Sequence, residues 1–258
     1  TENSWANKYN GRLNITAQPS DNITLSANAG LGLIRMRIPS DYPYEEAVYA
    51  GPADCARVPD RRCYRRGIPE ARVARDFDHN NANRMTAGFT ATHTPFDWLT
   101  HRLTFGTDLT NQTEDNLDAF LGPDFAPYYS SSGRLGGRRI NREAVIYTTF
   151  DYAATGERTL SDDLASTTSA GFQVYTKSVK DLTASGRRFP ALGLSAVSAT
   201  GQDRTGSDGL VENNTVGAYL QQQFGWQDRF FITGAVRADD NSSFGENFDL
   251  VYYPKVST

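Results

Sequence analysis

The stretch "NITLSANAGLGL", residues 22–33, decides the fold. Ile23, Leu25, Ala27, Ala29, Leu31 and Leu33 fall on one parity, and Thr24, Ser26, Asn28, Gly30 and Gly32 on the other. Successive side chains of a β-strand point to opposite faces, so a period of two reads as a strand with one apolar and one polar face. Strands in globular domains run about five or six residues. The apolar face here is eleven residues long. At roughly 3.3 Å per residue, tilted near 45°, that is about 25 Å of height, matching the lipid-facing band of a transmembrane β-barrel.

The same alternation spreads outward from this segment. "GRLNITAQ" (11–18) sets Leu13, Ile15 and Ala17 against Arg12, Asn14 and Thr16. "RMTAGFTATH" (84–93) sets Met85, Ala87, Phe89 and Ala91 against Thr86, Gly88 and Thr90. "LTHRLTFGTDL" (99–109) sets Leu99, Leu103, Phe105 and Leu109 against Arg102, Thr104 and Asp108. Short links are expected at 19–21, 94–97, 155–158 and 225–228, and long ones at 36–82, 112–141, 180–213 and 239–248. Alternating short turns and long loops suit a membrane barrel better than a compact soluble domain, where structureless connections of thirty residues are uncommon. Phe224, Trp226 and Phe230 gather about one short link, and Phe96 and Trp98 about another, as in the aromatic girdles of such barrels.

Composition agrees with an all-β chain. Of 258 residues only 38% are hydrophobic and mean hydropathy is −0.54, yet there are 13 Tyr and 14 Phe. Net charge is −4 and the pI about 5.4, which gives nucleic-acid binding no support. No run of 18 apolar residues marks a transmembrane helix. The polar opening "TENSWANKYN" carries no signal peptide, so a removed leader or an interior piece of a longer chain is expected. Cys55 and Cys63 stand eight apart in "CARVPDRRC", without CxxC spacing or a nearby His. A loop disulfide in an oxidising compartment and two free thiols are the open readings.

From Gly217 the chain reads "GAYLQQQFGWQDRFFITGAVRADDNSSFGENFDLVYYPKVS". This resembles a recurrent stretch of the SusC/RagA-like TonB-dependent outer-membrane transporters. The matching positions are Asp228, Arg229, Phe230, Val236, Arg237, Asp239, Ser242, Ser243, Phe244 and Gly245, then Tyr253, Pro254, Val256 and Ser257. Asp240 and Asn241 depart from the usual Gly-Ser. "TSAGFQVYTK" also looks like these barrels, more weakly.

The resemblance implies a 22-stranded transmembrane barrel with an N-terminal plug and a TonB-binding segment, neither of them recognisable here. About nine long strands in an antiparallel up-and-down meander are expected, so residues 1–258 read as part of such a barrel. Implied with it are the outer membrane of a Gram-negative cell and uptake of large nutrients, oligosaccharide, glycan or peptide. The implied partners are outer-membrane lipid, the TonB complex and a SusD-like surface lipoprotein, with no cofactor and no covalent chemistry. A surface β-sandwich module binding carbohydrate shares the alternation but predicts two packed sheets. A passive porin-like barrel shares the fold.

Within this reading "RADDNSSFGENF" is an extracellular hairpin. Phe230, Ile232, Gly234 and Val236 face lipid. Thr233, Ala235, Arg237 and Asp239 face the lumen, where Arg237 and Asp239 are placed to pair. The hairpin lacks the spacing of a calcium loop. His93 and His101 flank a turn and read as interfacial side chains. No HExxH, P-loop or GxSxG appears. Glycines 30 and 32 fall on the lumen face, leaving room for a plug. Tyr42, Tyr44, Tyr128 and Tyr129 are loop aromatics, suited to stacking on sugars or to packing within loops.

Overall fold

The computed structural model describes residues 4–38, 77–123, 135–242 and 250–258. They form nine strands: β1 (Trp5–Ser20), β2 (Ile23–Ile38), β3 (Phe77–Phe96), β4 (Leu99–Asp118), β5 (Gly137–Ser161), β6 (Leu164–Arg187), β7 (Gln202–Trp226), β8 (Phe230–Asn241) and β9 (Val251–Ser257). Each pairs antiparallel with the next, giving one sheet in sequence order. Among the described residues β1 pairs only with β2, and β9 only with β8. Among the described residues no second layer covers either face, so they do not form a two-sheet sandwich.

The short links are tighter than the sequence suggests. Asp21-Asn22, Asp97-Trp98, Asp162-Asp163 and Gln227–Arg229 turn the chain at one end of the sheet. The turn expected at 155–158 is misplaced. Thr155, Gly156, Glu157 and Arg158 pair with Ser169, Thr168, Thr167 and Ser166, and the reversal falls at two Asp residues instead. Turn-prone Thr-Gly misled there, because ladder pairing on both sides overrides a local preference. Gln227 and Asp228 close the last turn at positive φ, 52° and 53°.

The long connections are shorter than expected because the strands continue past the alternating segments. The link read at 180–213 shrinks to 188–201, and "GRR" at 137–139, read as loop, opens β5. Apart from Leu182, Leu210 and Val211 these strand ends are mostly polar on both faces, so no clear period of two marks them.

Cross-strand register confirms the two faces. One row runs Leu25, Ala91, Leu103, Tyr152, Phe172, Ala218, Ala238, Tyr252 from β2 to β9, all on the apolar side. These side chains are uncovered: Ile15 is 55% exposed, Leu220 52% and Ile232 58%. Fully buried apolar residues among those described are Leu121 and Phe189 alone. Two such residues cannot offset the ordering entropy of nine strands in water.

Leu121, Phe189 and the nearly buried Thr200 form a small cap at the loop end. Phe189 N donates to Leu135 O and Arg188 N to Gly136 O, each at 2.8 Å, folding 188–201 back over β5. The Thr200 side chain fills the space above Gly186, where a Cβ would collide with it. Gly136 takes φ +65°, and a side chain there would run into the Asp118 carbonyl.

Candidate functional site: the polar inner face

Four neighbouring strands bring one charged network onto the polar face. The register aligns Thr104, Asp151, Gln173, Gly217 and Asp239 in a row, with Gly171, Tyr219 and Arg237 in the next. Arg237 Nε donates to Asp239 Oδ1 at 2.7 Å and to Oδ2 at 2.9 Å. Its Nη2 reaches Gln173 Oε1 at 3.2 Å, and Gln173 Nε2 donates to Asp151 Oδ2 at 3.2 Å. The chain of bonds thus crosses from β8 to β5. Gly217 makes the crossing possible, because a Cβ there would overlap both Asp239 and Arg237. Gly171 plays the same part for the Tyr219 ring, which lies against its Cα.

Further along the same face Tyr147 and Tyr175 stack with centroids 6.0 Å apart, and Lys177 Nζ sits 5.6 Å from the Tyr147 ring centre. Arg84 of β3 pairs with Asp108 of β4, Nε to Oδ1 at 3.1 Å. The inner wall therefore offers fixed donors, acceptors and aromatic faces, which suits contact with a polar molecule or a polar protein surface. Among the described residues no His/Cys/Asp/Glu group is arranged to hold a metal ion.

Gly30 and Gly32 do lie on this face. The space above Gly30 is taken by the Thr86 side chain, and Asn10 Oδ1 comes within 3.2 Å of a Cβ on Gly32, so neighbours fill part of the expected room. His93 and His101 lie on the apolar face, directly paired and stacked 6.1 Å apart, with His101 Nδ1 2.8 Å from the Tyr152 hydroxyl. Cys55, Cys63, Tyr42, Tyr44, Tyr128 and Tyr129, and residues 243–249 of the last hairpin, lie outside the described residues. Sequence reading missed Asp151 and Gln173, because only the register shows that they stand beside Arg237. It also missed a polar cluster on the apolar face. There Gln222 Nε2 donates to Ser166 Oγ at 2.9 Å and to Gln223 O at 3.1 Å, and Thr168 Oγ1 donates to Gln222 Oε1 at 2.5 Å.

At the turn end Phe96 stacks on Trp98 at 5.7 Å and Trp226 on Phe230 at 5.8 Å, while the Arg158 guanidinium lies 4.1 Å from the Trp98 ring centre. At the loop end Arg138 Nε meets Asp115 Oδ1 at 2.8 Å. That hydrogen bond raises the Arg138 pKa above its ordinary value, against a smaller lowering by desolvation.

No family model and no curated protein matches the sequence. Solved structures do. The chain is similar to the RagAB peptide transporter, with TM-score 0.79 and 18% identity over 98% of this chain and 30% of that one. The RagAB peptide importer in its 'closed-closed' state matches at 0.78 and 17%, over 98% and 30%. BauA, the ferric preacinetobactin receptor from Acinetobacter baumannii, matches at 0.52 and 11%, over 97% and 36%. The described strands therefore share the fold of a segment of the RagAB peptide transporter. The chain spans about 30% of the RagAB chain it matches.

Proposed function

We propose that residues 1–258 form part of the wall of a TonB-dependent outer-membrane transporter that imports large nutrients, oligosaccharide or peptide. The plug, the TonB-binding segment and the remaining strands would come from other parts of a longer chain and would flank the open edges of β1 and β9. A SusD-like surface lipoprotein would sit on the loop side, and the TonB complex would supply the work. The protein would act by binding and conformational change, not by covalent chemistry.

One observation carries this reading. Among the described residues the sheet has a continuous uncovered apolar face on one side and a hydrogen-bonded ionic face on the other, in the fold of a RagAB segment. A soluble protein of this shape would aggregate through its face and edges. The polar wall fits a lumen in which plug and ligand move.

The test uses the full-length protein. It should fractionate with outer membranes and need detergent for extraction. A deletion strain should lose growth on a peptide or an oligosaccharide as sole nutrient, and loss of TonB should have the same effect. Uptake that persists without TonB would favour a passive porin-like barrel. Recovery as a monodisperse protein in plain buffer would end the membrane reading.

A further inference from the structure

A groove crosses the apolar face, away from the inner network. Cross-strand pairing lines up Ala29, Ala87, Thr107, Thr148 and Thr176 in one row from β2 to β6. The row on the loop side is bulky, with Leu31, Met85, Leu109 and Ile146. The row on the turn side carries Phe89, Phe105 and Phe150. An open hollow of ≈ 660 Å³ lies along the small-residue row from β1 to β5, walled on the loop side by Leu31, Met85, Leu109 and Ile146. Thr107 turns its hydroxyl onto the Tyr147 carbonyl at 3.1 Å and so presents its methyl group.

The groove climbs toward the loop end. On β2 the apolar face reaches up to Leu33, four residues beyond Ala29, while on β6 it stops at Val174, just short of Thr176. The same row is therefore mid-band on β2 and at the rim on β6. Above that exit, on the same face, stand Lys180 of β6 and Arg142 of β5. Ala144 faces Lys180 and Arg142 faces Leu182, so the two cations are diagonal neighbours. Both are exposed, and neither forms an ion pair among the described residues. Asp115 of β4, beside Ile140 and held by Arg138, and Glu212 and Asp208 of β7, beside Ser178 and Leu182, are the nearest acidic residues on that face, and none closes on either cation. Adjacent like charges repel unless an anion sits between them.

We propose that this groove and cation pair hold one phosphorylated lipid of the loop-side leaflet. An acyl chain would lie in the groove, and the phosphate would bridge Arg142 and Lys180. Charge complementarity selects the headgroup, since a guanidinium and an ammonium together match a phosphate. Width selects the tail. A channel one residue row wide admits an acyl chain, whereas a helix about 10 Å across does not enter it. The cations stand above the exit by four residues on β6, roughly 9 Å of height at a 45° tilt, within the span of a side chain reaching toward the interface.

This inference rests on the membrane reading above. The test is native mass spectrometry of the full-length protein, extracted in detergent from outer membranes and titrated with diphosphorylated lipid A. The wild type should retain the lipid. Arg142→Gln with Lys180→Gln should weaken retention by on the order of tenfold, the effect of losing charge-assisted bonds. Ala87→Phe, which fills the groove, should weaken it too, and Arg158→Gln at the opposite rim should not. Equal retention by the double variant, or of dephosphorylated lipid A by the wild type, would overturn the site. A wild type that is soluble and binds no lipid would overturn the membrane reading instead.

Discussion

Arg237 and Gln173 stand on strands β8 and β6 yet share a hydrogen bond of 3.2 Å, made directly across Gly217 of the intervening β7. A side chain on β7 would block the reach, so a single glycine couples three strands of the inner wall. Gly217→Val is expected to displace Arg237 from both Asp239 and Gln173. Overpacking of this kind costs about 1–3 kcal/mol. Urea unfolding of the full-length protein in vesicles measures it. Gly106→Ala is the control, because a Cβ there meets nothing within 4 Å. Equal losses in both variants would show that Gly217 is not a special position.

The Arg237–Asp239 pair is half-open to solvent, with side chains 36% and 23% exposed. Screening keeps such pairs weak, so a double-mutant cycle with Arg237→Gln and Asp239→Asn should return a coupling of about 0.2–1 kcal/mol. If the inner wall meets the nutrient or the plug, uptake should fall by more than this stability change explains. Unchanged uptake in both single variants would remove the network from the transport path.

Much of this was legible in the sequence. The period of two from Ile23 to Leu33 fixes strand and face together, and the 217–257 resemblance points to the barrel. The pairing of Arg237 with Asp239 follows from their two-residue spacing on one strand. The Asp151–Gln173 extension does not, because it depends on registers summed over β5 to β8. The turn at Asp162-Asp163 was hidden for a related reason. Glu157 and Arg158 resemble a polar link, but β6 pairs with both, Glu157 N donates to the Trp98 carbonyl at 2.8 Å, and Arg158 is further held over the Trp98 ring.

The Ser166–Gln222–Thr168 cluster shows how an amide is kept on an apolar face. Both of its donor bonds and one acceptor position are used within the sheet. Hydrocarbon offers no replacement partner. Ser166→Ala should therefore destabilise the folded barrel by about 1–3 kcal/mol, the cost of stranding a buried donor. The cost should shrink in an aqueous detergent that wets this face. Equal effects in vesicles and in such a detergent would place Gln222 in water.

At the loop end, Arg138 keeps its charge across the working pH range, because Asp115 raises its pKa above the ordinary value. A raised arginine contributes stability that is present below its unfolded pKa and is lost only as pH rises through the still higher folded one. Titration of the loop cap between pH 5 and 9 should thus show no contribution from Arg138. Arg138→Gln should loosen the 188–201 segment, since its Nη1 also donates to the Ser195 carbonyl at 3.1 Å. Hydrogen exchange at Phe189 and Gly201 reads this directly, and unchanged protection there would show that the cap holds without Arg138.

Leu220 and Gln221 test the face assignment most sharply, for they are adjacent in β7 and point to opposite sides. Leu220 pairs with Ala170 and Val236 on the apolar side, and Gln221 with Ser169 and Ala235 on the polar side. An arginine on the lipid side near mid-band costs about 2–4 kcal/mol, while a lumen position tolerates the charge. Leu220→Arg should reduce the folded, heat-modifiable form in outer membranes, and Gln221→Arg should leave it near the wild-type amount. The comparison holds strand propensity and charge constant, so only the solvent on each side differs. Similar yields for the two variants would mean that water wets both faces, and the barrel wall, the lipid groove and the transport reading would all lose their common support.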